Sequence, residues 1–433
     1  MKFLSSIFTL RRLFLWGNVI LLVLFIGNLI KDQKRGWQWY QKEYKRREIA
    51  RLEAKIANAP SADLKDTAQQ ELKIAQKMPI EIRQIWSQDI NTVDRCITCH
   101  VGYDPLNNSS LTTEYKDQPF SAPDNDKALE IHKAHDVEKF GCVVCHGGQG
   151  LATEVKAAHG EVEHWEKPLL KGVLLQSSCV QCHDNHGELL VKGEVYTSEI
   201  LRAKKLVQEA GCIGCHQVGG EGGVISVDFK DETSNKPLSR IDFTHTGLPQ
   251  DQWTLANWIK VHLTQDPARV TPGDPKAAFN TEPIAPSGMP PYLMNEKDAD
   301  AITAWILGLK RTGIPPQFLT LRPAAAEPTT FASAVAQGRH VYEKNGCAAC
   351  HGADARGGIR NYNSQSGVTP NLRRAVSTYT RDELREKISE GAPFIARHDP
   401  SGPQPPFYMP AWKSKIKGDE MESLITYLLS IKE

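Results

Sequence analysis

The sequence has no cysteine to spare. All ten lie in five C-x-x-C pairs, which leaves none for a disulfide framework of varied spacing. Net charge is nearly absent as well: 52 Lys and Arg against 51 Asp and Glu leave +1, so nothing favours nucleic acid as a partner. Long apolar runs are scarce, with one near the start and a water-facing composition after it. The cluster Gly219-Gly220-Glu221-Gly222-Gly223 lacks P-loop or dinucleotide spacing around it, which disfavours phosphate binding.

What is present is one pattern, five times. Cys96-Ile-Thr-Cys99-His100, Cys142-Val-Val-Cys145-His146, Cys179-Val-Gln-Cys182-His183, Cys212-Ile-Gly-Cys215-His216 and Cys347-Ala-Ala-Cys350-His351 all read C-x-x-C-H. That pattern is the attachment site of c-type haem. Two thiols on one turn form thioethers to the porphyrin vinyl groups, and the adjacent imidazole ligates the iron. Zinc ribbons do not need a His after each C-x-x-C, and a redox C-x-x-C would occur once, near a βαβ pattern. The expected cofactors are five covalently bound haem c groups, with His100, His146, His183, His216 and His351 as proximal ligands.

The 433 residues suffice for about three domains. Residues 1–12 form a short N-terminal segment, expected in the cytoplasm. Residues 13–30 are apolar apart from Gly17, Asn18, Gly27 and Asn28, and at 1.5 Å per residue they reach about 27 Å, enough to cross a bilayer. The run exceeds a signal-peptide core and no A-x-A-like site follows, so it reads as an uncleaved signal anchor. Basic residues flank both ends (Lys2, Arg11 and Arg12; Lys31, Lys34 and Arg35), so charge does not set the orientation. Haem attachment does, because it takes place outside the cytoplasmic membrane. The expected location is therefore the inner membrane, single-pass, with the haem domains on the periplasmic side.

Residues 31–90 read as a helical stalk, with helices near 38–57 and 63–77, Ser61 or Asp63 as N-cap, and Tyr40, Tyr44, Ile49, Leu52 and Ile56 along one face. It serves at least to hold the haems off the membrane, and it offers a docking surface for another subunit. Residues 91–190 carry three haems in too little chain for an ordinary core, so an irregular, haem-packed trihaem domain is expected. Its candidate distal ligands are His135, His159 and His164, with His132 and His186 as surface or hydrogen-bonding residues. Which of these serves which haem is left open.

Residues 191–310 and 331–433 share a plan, joined by a Pro-rich linker, 311–330. In the first, a helix from Ser198 to Ala210 precedes the fourth motif, Trp253–Leu263 is helical, Met289-Pro290 follows, and Asp298–Lys310 closes it. In the second, Phe331–Asn345 precedes the fifth motif, Met409-Pro410 follows, and Gly418–Ile431 closes it. This plan resembles the class I cytochrome c domain, and the resemblance implies Met289 as distal ligand of the fourth haem. Met409 takes the same place for the fifth. The rivals are His245 and His262 for the fourth haem and His398 for the fifth, while Met294 and Met421 read as packing residues. A thioether ligand raises the potential of its haem relative to bis-histidine ligation. The fold class expected is mainly α.

The stretch Phe140–Gly150, with Ala158-His159-Gly160 and His164-Trp165, resembles membrane-anchored multihaem cytochromes that accompany cytochrome b and Rieske-type quinol-oxidising complexes. The resemblance extends to the positions of His135, His159 and His164. It implies an electron-transfer subunit of a respiratory oxidoreductase complex rather than a catalyst by itself, with a soluble cytochrome c or terminal oxidase as the expected acceptor. One span cannot build a quinone pocket, so quinol oxidation would belong to a partner. On its linker, the last domain reads as a tethered carrier. The alternative is a multihaem enzyme, nitrite reductase- or peroxidase-like, with one open iron. No C-x-x-C-K variant is present, and there are enough His and Met residues to close all five irons. A haem filament subunit fits less well with an anchor and globular domains.

Overall fold

A computed structural model describes the chain except residues 1–8, 34–35, 104–114, 122–125, 184–188, 192–193, 224, 275–285, 311–329, 403 and 406. His186 and nearly all of the linker fall outside the described residues. The protein is mainly α, with 54% helix and 5% strand. It forms two compact units: Met1–Val143 with Gly147–Glu161, and Val144–His146 with Val162–Glu433. The division falls inside the second motif.

In the first unit, Leu10–Gln33 is one helix, about 36 Å long at 1.5 Å per residue. It is long and apolar enough to cross a membrane. Leu13 through Ile30 expose their apolar side chains, and Asn18 donates to the Phe14 carbonyl (2.8 Å), so this polar group is satisfied within the helix.

Gly36–Ala57 and Ala62–Lys77 pair as a helical hairpin, with Ser61 capping the second helix through the Leu64 N–H. The first of these helices is no free stalk. It buries Trp37, Gln41, Tyr44, Glu48 and Leu52, a stripe at helical spacing. Tyr44 packs with Val101 and Phe120, just beyond the first motif. The buried face keeps Tyr44 and Leu52 of the expected stripe, leaves Tyr40, Ile49 and Ile56 half-buried at its edge, and adds two polar residues that find partners. Gln41 donates to the carbonyls of Glu81 (2.7 Å) and Thr98 (2.9 Å) and accepts from the Glu81 N–H (2.9 Å). Glu48 pairs with Arg51 at 2.8 Å.

The second unit holds two helical cores. Ser198–Glu209, Leu255–Thr264 and Glu296–Gly308 meet around Ile200, Val207, Ile259 and Ile302. Gln176–Cys182, which carries the third motif's cysteines, packs on the same core through Val180. A Cβ at Gly308 would lie 2.3 Å from Val180, so the absence of a side chain there is what lets this helix dock. Ala334–Lys344, Arg381–Glu390 and Gly418–Ser430 form the other core around Val341, Leu384, Ile388, Leu424 and Ile425. Its first and last helices cross at Gly338, where a Cβ would stand 1.9 Å from the Ser423 carbonyl oxygen.

Candidate haem-binding turns

Each motif occupies about one helical turn. His100 N–H donates to the Cys96 carbonyl (2.9 Å), His183 to Cys179 (2.9 Å) and His216 to Cys212 (3.0 Å). This i to i+4 bond brings the histidine to the face that carries the first cysteine. Val143–His146 and Cys347–His351 are helical over the same span. Gly211 and Gly346, immediately before the fourth and fifth motifs, take left-handed φ of 75° and 69°, reversing the chain between helix and turn.

The donor set fits a covalently held haem. None of the ten cysteines is in a disulfide. His216 Nδ1 lies 2.8 Å from the Val227 carbonyl and His351 Nδ1 lies 3.4 Å from that of Pro370. A carbonyl only accepts, so the proton sits on Nδ1 and Nε2 keeps the lone pair that a metal takes. Burial pushes both imidazoles below the ordinary histidine range, favouring the neutral, ligating form. Phe229 stacks on His216 at 4.3 Å. Asp228, between Val227 and Phe229, accepts from the N–H groups of Gly219 (3.1 Å), Gly220 (2.9 Å), Lys230 (2.7 Å) and Asp231 (3.1 Å). The glycine cluster thus forms a hairpin turn that holds the carboxylate anchoring the His216 contacts. Burial acts to raise the Asp228 pKa, but the four N–H groups outweigh it and leave the carboxyl below its usual range.

Two pairs of turns, the first with the second and the fourth with the fifth, stand beside one another. Asp94, 1% exposed, accepts from Cys96 N–H (2.9 Å), Cys142 N–H (2.8 Å) and Val143 N–H (2.8 Å). Its carboxylate and the sulfurs of Cys96 and Cys142 lie within 4.8 Å of one another. Tyr196 is half-buried within electrostatic reach of Cys179 and Cys145, from the third and second motifs; burial first and then these cysteines push its hydroxyl pKa up. The fourth and fifth turns meet backbone to backbone. A Cβ on Gly346 would lie 2.1 Å from Gly214 Cα, and one on Gly214 would lie 1.7 Å from the Gly346 carbonyl oxygen. Cys215 and Cys350 sulfurs are 3.9 Å apart across this contact, and Lys415 donates to the Gly222 carbonyl (2.6 Å). The last domain is therefore docked on its neighbour, where the linker composition had suggested a tethered carrier.

The expected distal residues differ in setting. Met289 and Met409 are half-buried, each against the core of the domain that carries its motif. Met289 also lines a small pocket with Arg360 and Tyr362 of the last domain. Of the rivals, His262 is a satisfied core histidine: Nδ1 donates to the Trp258 carbonyl (2.8 Å) and Nε2 accepts from the Thr271 hydroxyl (3.1 Å). His245 and His398 are exposed. His159 stands near His100, with ring centroids 6.4 Å apart. His135 donates from Nδ1 to the Ile131 carbonyl (2.8 Å) and meets Phe140 edge-on, while His132 meets Tyr103. The His164 side chain is 86% exposed beside Glu163.

Residues 200–310 and 335–432 each match the family model for cytochrome c. Two tandem cytochrome c domains form the C-terminal half of the chain. Such domains bind haem c covalently and transfer electrons, so the chain is an electron-transfer haem protein. No curated protein and no solved structure matches the chain. The matched segments hold the fourth and fifth turns, and the first three stand on their own residues.

Sequence reasoning passed over Asp94, Gln41, Thr98 and Asp228. Asp94 carried a local signal, since an Asp two residues before an N–H forms an Asx turn. Thr98, inside the first motif, has its hydroxyl bonded to both the N–H (3.0 Å) and the carbonyl (2.8 Å) of Arg83.

Proposed function

We propose that the chain is a membrane-anchored pentahaem electron-transfer subunit. It takes electrons from a quinol-oxidising partner of the cytochrome b/Rieske type and hands them to a periplasmic acceptor, a soluble cytochrome c or a terminal oxidase. Each haem supplies a one-electron iron couple. Cys96, Cys99, Cys142, Cys145, Cys179, Cys182, Cys212, Cys215, Cys347 and Cys350 hold the porphyrins, and the five motif histidines hold the irons. His135, His159, His164, Met289 and Met409 are the proposed distal ligands, and the body lies on the outer side of the inner membrane, where haem attachment takes place.

The observation that carries this reading is the contact between motif turns, above all the Cys215 and Cys350 sulfurs at 3.9 Å. Turns packed this closely serve relay between centres rather than isolated chemistry at one of them. Axial methionine raises potential, so entry at the N-terminal haems and exit through the tandem domains is the downhill order. The test is a haem count by pyridine haemochrome with a redox titration of the detergent-solubilised protein. Five haems per chain, with two centres above the other three, support the reading. Three centres above two would reverse the order. A high-spin ferric signal with carbon monoxide binding in the reduced protein would point to the enzyme alternative.

A further inference from the structure

We infer that His100 and His159 are the two axial ligands of one iron, that of the first haem. This inference rests on the pentahaem reading above and goes beyond it by assigning a pair. Metal–imidazole bonds are about 2 Å long. Two imidazoles facing each other across one metal therefore have centroids about 6 Å apart. The His100 and His159 rings are 6.4 Å apart, with planes at 44°.

The surrounding chain holds that spacing. The Arg95 N–H, one residue before the first motif, donates to the Gly150 carbonyl (2.8 Å), and the Arg95 guanidinium donates to the Leu151 carbonyl (3.0 Å). A Cβ on Gly150 would lie 2.3 Å from the Val93 carbonyl oxygen, so this loop lies directly on the strand leading into the motif. The Gln149 N–H then donates to the Ala158 carbonyl (2.8 Å), and a Cβ on Gly148 would lie 2.4 Å from that same oxygen. His159 itself caps the short helix Val155–Ala158, its N–H bonded to the Val155 carbonyl (2.9 Å). Each link from His100 back through Arg95, Gly150, Gln149 and Ala158 to His159 is thus a backbone contact with no slack. Sequence proximity would assign His159 to the second motif, which precedes it. The fold carries it to the first.

The experiment compares full-length, haem-loaded protein with the variants His159→Ala, His159→Met, His100→Ala and His135→Ala. Readouts are pyridine haemochrome content, low-temperature EPR of the ferric state and the midpoint potential of each centre. In His159→Ala, five haems should remain and one low-spin signal should give way to a high-spin one, recovered on adding imidazole. The same low-spin signal should disappear in His100→Ala, and a different one in His135→Ala. Should the Ala variant not fold, His159→Met serves: it should raise the potential of one centre and leave four unchanged. Five unchanged low-spin signals in His159→Ala, four unmoved potentials plus an unmoved fifth in His159→Met, or loss of different signals in the His159 and His100 variants, would overturn the pairing. A count other than five in the unaltered protein would instead overturn the pentahaem reading.

Discussion

The first and second motif turns meet through a buried carboxylate, and the fourth and fifth meet through bare backbone. Asp94 gathers three N–H groups from the two turns that it joins, so that contact depends on charge-assisted hydrogen bonds. Gly214 and Gly346 approach so closely that the contact depends on the absence of side chains. A carboxylate tolerates small shifts of its partners because each oxygen accepts over a broad range of directions. Backbone against backbone tolerates none. The two junctions bring haem-binding turns together by opposite means, and they should fail differently.

The largest effect should come from the glycine contact. Gly346→Ala adds a methyl group 2.1 Å from Gly214 Cα and also strains a left-handed φ of 69°. The expected result is undocking of the tandem domains with a loss of about 4 kcal/mol, at the upper end of what one substitution does. Small-angle scattering should show expansion, and thermal unfolding of the second unit, expected as one transition in the unaltered protein, should split in two. An unchanged profile would mean that the turns can slide apart without cost.

Asp94→Asn should come next. An amide keeps one accepting oxygen but turns an NH₂ group towards N–H donors that are themselves partly buried. A loss of about 3 kcal/mol is expected, read as a lower urea midpoint for the first unit with the second unchanged. Gln41→Leu should cost less, about 2 kcal/mol, by orphaning the Glu81 N–H and the Thr98 carbonyl that the amide now satisfies. Because Thr98 lies inside the first motif, that variant should also disturb the spectrum of one haem and leave the tandem domains unaffected.

The smallest effect should be a surface one. Hydrogen bonds from Arg46 and then Arg47 hold Glu43 down to about 2, from an ordinary value of 4.5. Its stabilising contribution is therefore complete above pH 4.5 and is lost as pH falls through about 2. Glu43→Gln should flatten the acid limb of first-unit stability at low salt and do little in 1 M salt, where such pairs are screened. A difference that persists in high salt would mean the pair is less solvated than its surface position implies.

The five turns were legible because C-x-x-C-H places its whole chemistry in adjacent residues. The flanking helices were legible to within a few positions: Glu296–Gly308 was expected over 298–310 and Ala334–Lys344 over 331–345, each set by a capping side chain, Asn295 and Ser333. The supports were not legible, because their partners are remote. Gln41 reaches Thr98 across 57 positions, and Cys350 meets Cys215 across 135. A periodic pattern reports which face of a helix is apolar. It does not report that a glutamine on that face will be satisfied by the edge of a haem-binding turn. His262 shows the converse, since it resembled a ligand by type and place until both its nitrogens were found in use.

The glycine junction also sets an order in time. Cys215 is 8% exposed where the fourth and fifth turns meet. Thioether formation needs access to that sulfur, and a closed junction denies it. Haem ligation is therefore expected to precede docking, with the tandem domains maturing as separate pieces and locking together once both are loaded. Pulse-labelled chains halted before ligation should accordingly be extended and protease-sensitive, and chains released from the block should compact in a single late step.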